Sequence, residues 1–127
     1  MRKLNYEENC RCIEMNKQHN MKLYEKPFNL VQDGIKKIEV RCYDEKRRQL
    51  KVGDTIVFTH YDDAQKTIRV TIRDMQVFAT FTELYSSFPM NMFGHPDSNV
   101  DEMVAAVYDI YSKEQERQYG AIAIIIE

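Results

Sequence analysis

No stretch of the sequence approaches the roughly 18 to 20 apolar residues that cross a bilayer as a helix, so neither a helical membrane span nor a membrane partner is expected. The first ten residues, MRKLNYEENC, hold neither the apolar core nor the small-residue cleavage site of a secretory leader, and a cytoplasmic setting is the expectation. Cysteine is scarce. Three thiols cannot pair off internally, which suits a reducing compartment. Cys10 and Cys12 are separated by one residue rather than the two of a zinc knuckle, and His19 is the sole histidine near them, so no metal and no other cofactor is expected. Nor do His60, His95, Ser86 and Ser87 have an oxyanion glycine motif around them, which argues against a serine-nucleophile triad. There is no internal repeat.

What is present is the balance of an ordinary globular domain, 43% hydrophobic and 30% charged over 127 residues, enough chain for one core and too little for two. The net charge of −2 hides an asymmetry. Between Lys36 and Lys51 stand seven basic residues (Lys36, Lys37, Arg41, Lys46, Arg47, Arg48, Lys51) against three acidic ones (Glu39, Asp44, Glu45), a local +4 against −6 elsewhere. Such a block is a candidate footprint for a phosphate-bearing partner, or a solvated turn between strands.

Residues 1–20 are rich in Asn, Glu, Lys and Gln without a sustained period, and read as an N-terminal extension, weakly ordered or a short docked helix. A folded domain is expected over 21–127. It opens with an alternating strand from Met21, followed by a short helix with Pro27 at its first position, Phe28 and Val31 on one face and Gly34 as its stop. Lys37 to Cys42 alternates strictly and reads as a half-buried strand, with Lys37, Glu39 and Arg41 on one face and Ile38, Val40 and Cys42 on the other. Gly53-Asp54 turns into a strand over Thr55–His60. A hairpin at Asp62–Gln65 leads to a long strand that reaches Phe78. Thr80 and Glu83 form a capping box for a short helix, and Ser98 caps a longer one whose stripe is Val100, Met103, Val104, Val107 and Tyr111. The unbroken apolar run Ala121–Ile126 reads as a central strand. This order predicts an α+β fold, a small β-barrel of mostly antiparallel strands with two to four flanking helices.

Gly34, Lys36, Glu39 and Arg41 fill every defined position of a Gly-x-Lys-x-x-Glu-x-Arg pattern, and with Leu50-Lys-Val-Gly53-Asp54 and Tyr119-Gly120 in the right order the chain resembles the ASCH (activating signal cointegrator homology) domain family over 21–127. The resemblance implies a PUA-like barrel with the motif lining a cleft at its side. The chemistry of the motif can be argued from its residues alone. Glu39 and Arg41, two apart on a strand, emerge on one face about 7 Å apart at Cα and can orient each other. Arg41 offers a planar fork of donors for phosphate or a carbonyl edge, and Glu39 an acceptor for a base amino group or ribose hydroxyl. Strict alternation places Lys36 inward, so either the strand starts after it and its side chain swings into the cleft mouth, or it is partly buried with a lowered pKa. Gly34 supplies freedom for the turn and lets a ligand come close. The bland alternative is a surface salt-bridge ladder. Of the aromatics, Phe28, Phe58 and Phe78 suit the core. Tyr24, Tyr43, Tyr61 and Tyr119 lie at strand ends where a ring could stack on a base, Tyr119 first among them.

The leading expectation is therefore a module that binds single-stranded RNA or a nucleotide, with Gly34, Lys36, Glu39, Arg41 and Tyr119 as ligand-binding residues. A hydrolase is the second reading, because some bacterial ASCH relatives are similar to amidohydrolases acting on 4-acetylcytidine. There Lys36 and Glu39 would be catalytic, yet Glu39 stands where those relatives carry a threonine nucleophile, and the later acid would be Asp97 or Glu102. A third reading is a protein-interaction adaptor using the helix at 99–111 or the loop Met90–Phe93.

Overall fold

The computed structural model describes residues 16–127; Cys10 and Cys12 lie outside them. Five strands, β1 (Gln18–Leu23), β2 (Ile38–Cys42), β3 (Thr55–His60), β4 (Asp63–Phe78) and β5 (Ala121–Ile126), form one curled sheet in the order β1-β3-β4-β5-β2. All pairings are antiparallel except β1 with β3, which run parallel from Gln18 opposite Thr55 to Leu23 opposite His60. The 16-residue β4 belongs to both halves of the sheet. It pairs with β3 up to Thr71 and with β5 from Ile72, and a register shift between Ile72 and Asp74 lets the sheet turn back on itself. Among the described residues four helices complete the fold: α1 (Glu25–Gln32), α2 (Phe81–Ser86), α3 (Val100–Val107) and α4 (Lys113–Tyr119). None is long and apolar enough to cross a membrane.

The run Ala121–Ile126 is apolar throughout because both its faces are covered. Ile122, Ile124 and Ile126 join Met21, Leu23, Phe28, Val31, Ile56, Phe58 and Ile72 in one core, while Ala121 and Ala123 meet Ile38, Cys42, Phe81, Leu84, Phe93 and Val107 in a second core beneath the helices. The strands expected at Thr55–His60 and Ala121–Ile126 have the bounds read from the sequence.

Other features differ from expectation. β1 starts three residues before Met21, at Gln18. It is tied there by Asp54, a fully buried carboxylate that accepts from the backbone N–H groups of Lys17 (3.0 Å) and Lys51 (3.1 Å) and lies 2.7 Å from His19 Nε2. Burial acts to raise the Asp54 carboxyl, but these donors hold it below the usual carboxylate range. Pro27 is the third residue of α1, not the first. The hairpin turns at Tyr61-Asp62, since His60 already pairs with Asp63. Asn99 rather than Ser98 caps α3, its side chain accepting from Glu102 N, and Ser98 instead donates to the Glu102 carboxylate.

Helix α4 has no counterpart in the apolar pattern. Its buried residue is Glu116, whose carboxylate accepts from Phe81 N (2.7 Å) and the Tyr108 hydroxyl (2.6 Å) and so fastens α2 and the end of α3 to α4.

Candidate functional site

β1 and β2 are the two edges of the curled sheet, and the curl brings them close without pairing them. A cleft of about 700 Å³ occupies this seam, within the size range of small-ligand sites. One wall is β1, through Met21 and Leu23; another is α3 and the turn after it, through Met103, Val107 and Ile110; β2 contributes Ile38 to Arg41. Across the seam the Arg41 Nη2 group donates to the Lys22 carbonyl at 3.1 Å.

The motif residues occupy this place for local reasons. Gly34 ends α1 in the left-handed region at φ 73°, its N–H donating to Val31 O, and the amides of Ile35 and Lys36 both reach Leu30 O. This tight exit means the ladder of β2 starts only at Ile38. Lys36 therefore stands before the strand, and its side chain swings into the cleft. Gly94, at φ 87°, lets the loop after Phe93 pack against it, since a Cβ at Gly94 would lie 3.3 Å from Lys36 Cβ.

Glu39 and Arg41 do share a face, but that face does not meet bulk water. They stand opposite Ile124 and Ile122, on the side of the sheet that carries the first core. The strand read as half-buried is thus covered on both faces, and Glu39 is only 3% exposed. Its Oε1 lies 2.7 Å from Lys36 Nζ and its Oε2 accepts from Arg41 Nε at 2.6 Å. Burial works to raise the Glu39 carboxyl, yet Lys36 and Arg41 prevail and hold it at about 2, down from an ordinary 4.5. Burial likewise opposes the Arg41 charge, and Glu39, with Tyr111 alongside, more than offsets it, so the guanidinium pKa is raised. Tyr85 faces the same ion set, and its hydroxyl is pushed up by burial and then by Glu39 and Tyr111. The trio carries a net charge of +1. Lys36 Nζ lies against Oε1 and Arg41 Nε donates to Oε2, which leaves each carboxylate oxygen a further lone pair and so spare acceptor capacity.

At the rim, Tyr24 and Tyr61 stack with ring centroids 4.5 Å apart and planes 23° from parallel, 59% and 51% exposed respectively, with Lys22 Nζ 5.5 Å from the Tyr61 ring. Lys46, Arg47 and His95 also line the cleft. Burial, with Lys26 and Lys36 nearby, holds the His95 imidazole below its ordinary range.

The structure brings Lys36, Glu39 and Arg41 together and leaves two of the expected site residues elsewhere. Gly34 shapes the approach to the strand but does not line the cleft. Tyr119 borders a separate, shallower depression with Tyr43, Arg48 and Arg117, where Arg48 packs over the Tyr43 ring at 4.3 Å and donates to Tyr119 O. Neither Asp97 nor Glu102 lines the cleft, and among the described residues lining it Glu39 is the sole carboxylate. Among the described residues no group of three or more His, Cys, Asp or Glu side chains could hold a metal ion. Sequence reasoning missed Arg47 and Lys46 as site residues. They sat in plain view within the basic block, but nothing in the spacing says that a 3-10 turn at Arg47–Gln49 leaves Lys46 and Arg47 lining the same cleft as β2.

A curled five-stranded sheet with flanking helices and a charged cleft at its unclosed seam defines a PUA-like domain. The model for the ASCH domain matches residues 21–127, and the chain belongs to the ASCH domain family. Among solved structures it is similar to the hypothetical protein PH0355, with 36% identity over 87% of this chain and 97% of that one, at a TM-score of 0.76. Protein PF0455 from Pyrococcus furiosus is 33% identical over 87% and 96% of the two chains, at 0.70. ZmASCH from Zymomonas mobilis, 15% identical over 88% and 68%, shares the fold at 0.55. No curated protein matches the chain.

Proposed function

We propose that the protein is a binding module for single-stranded RNA or a nucleotide, held with its base in the seam cleft. One observation carries this reading: a buried, ionised carboxylate clamped between Lys36 and Arg41 in a cleft with apolar walls and a stacked tyrosine pair at its rim. A base is a flat apolar body with a polar edge. The walls suit the body; Glu39 Oε1 accepts from an amino or imino N–H on the edge, and the Tyr24–Tyr61 pair offers an outer ring face to a neighbouring base. The charge balance favours an anionic ligand, because Lys22, Lys36, Arg41, Lys46 and Arg47 line the cleft against Glu39.

The hydrolase reading has less support. Glu39 is committed to two cations, and among the described residues no second carboxylate lines the cleft to share acid and base roles.

The test uses Tyr61→Ala, an exposed position whose loss leaves the core intact. Binding of short single-stranded RNAs, measured by fluorescence anisotropy, is expected to weaken roughly tenfold or more, the usual worth of one base–aromatic stack, with the melting temperature unchanged. Equal affinity of parent and variant across a panel of sequences removes the tyrosines from the site. A parent that binds no RNA, nucleotide or nucleoside at all overturns the reading.

A further inference from the structure

The motif cations raise a difficulty for any phosphorylated ligand. Lys36 and Arg41 are each within 2.7 Å of Glu39, and Arg41 spends a further donor on Lys22 O, so neither is a dedicated phosphate site. Another cation in the cleft is placed differently. Asp44 caps the 3-10 turn by accepting from Arg47 N at 3.1 Å, and its other oxygen takes Arg47 Nη1 at 3.3 Å. These bonds hold the Arg47 side chain, only 12% exposed, in one orientation against the cleft. Its Nε is buried and has no hydrogen-bond partner among the described residues. A buried donor left unpaired is unfavourable, and Arg47 lines the cleft together with Lys46.

From this geometry we infer that Arg47 and Lys46 form a phosphate subsite at the end of the base cleft, so that the ligand is a phosphorylated nucleoside rather than a free nucleoside. The inference rests on the nucleotide reading of the same cleft and extends it. The Nε–Nη2 edge of a guanidinium meets two phosphate oxygens side by side, and with Nη1 anchored on Asp44 that edge is the one left to offer. Lys46 adds a mobile point charge. The motif trio is then left to the base, where one ionised oxygen with spare acceptor capacity is more useful than excess positive charge.

The phosphate could belong to a mononucleotide or to an RNA backbone, and calorimetric titration of the full chain separates these. The ligands are the four ribonucleosides, their 5′- and 3′-monophosphates and a short single-stranded oligoribonucleotide, against the parent, Arg47→Met and Arg47→Lys. For the parent, phosphorylated ligands are expected to bind at least roughly tenfold more tightly than the nucleosides, as one charge-assisted fork implies. Arg47→Met is expected to reduce that advantage to about twofold; Arg47→Lys, which keeps the charge and loses the fork, falls between. A gain seen with the oligoribonucleotide alone assigns the subsite to a phosphodiester, and a gain with monophosphates assigns it to free nucleotides. Nucleosides and nucleotides binding the parent alike, or a phosphate advantage undiminished in folded Arg47→Met, overturns the subsite and leaves the base cleft standing. A panel in which nothing binds overturns both.

Discussion

Replacing Glu39 by glutamine is expected to destabilise the protein at pH 7 by about 3 kcal/mol, because it strands two cations that are 15% and 14% exposed without their counter-charge. The same magnitude follows from the carboxyl itself. Its depression from 4.5 to about 2 corresponds to roughly 3 kcal/mol of preference for the charged form in the folded state. The sign fixes the pH window. A carboxyl whose folded value lies below its unfolded value contributes fully above pH 4.5 and loses that contribution as pH falls towards 2. Urea titrations of the parent should therefore show stability falling through this window, over and above the contribution of Asp54, while Glu39→Gln should show a flatter acid limb and approach the parent near pH 2. A variant within 1 kcal/mol of the parent at pH 7 is what a solvated surface ladder predicts, and it would remove the buried clamp from the account of this site.

The second large effect is expected at Gly120, which joins α4 to β5. Its backbone, at φ 75° and ψ −166°, lies in a region that only glycine enters freely, and a Cβ there would sit 2.7 Å from the carbonyl oxygen of Phe78. That oxygen belongs to the backbone of β4, so no side-chain rotation relieves the clash. The residue also donates to Glu116 O and accepts from Tyr43 N, bonds that register α4 and the end of β2 against the start of β5. Gly120→Ala is expected to cost at least about 3 kcal/mol, the sum of backbone strain and displacement, read as a shift in urea midpoint at unchanged slope. Gly34→Ala is the control. It has a similar φ of 73° but nothing nearer to the added carbon than Lys37 Nζ at 3.9 Å, so about 1 kcal/mol is expected. Equal costs at the two positions would show that φ alone matters and that the approach of β4 is slack.

The contrast between these residues says what was legible in the sequence. Strands whose two faces differ from their surroundings declare themselves: Thr55–His60 by alternation and Ala121–Ile126 by its apolar run. The motif strand was grouped correctly into two faces, but a period of two cannot say which face meets water, and here neither does. Alternation alone set Glu39 opposite the apolar residues of the strand and gave no sign that it is buried in the seam. Helix α4 hides because its buried residue is a glutamate, and an apolar-stripe search passes over it, although Ser112 and Gln115 form a complete capping box that marks its start. The parallel pairing of β1 with β3 depends on how the chain returns, which no local pattern records. The cleft is built largely across that return, so the motif was readable and Tyr24 and Tyr61 could be named as stacking rings, while Arg47 and Lys46 were not joined to it.

The unclosed seam has a consequence for how the molecule coexists with its own copies. An open sheet exposes two rows of peptide groups, and such rows recruit further strands and lead to aggregation. Here both outermost strands, β1 and β2, face the same crevice, spanned by the guanidinium of Arg41 and covered on one side by α3. Each row is shielded by the other. A fully closed barrel would protect its strands as well but would have no opening between them; leaving one ladder unmade gives the chain a place for a guest while still denying its edges to a neighbour.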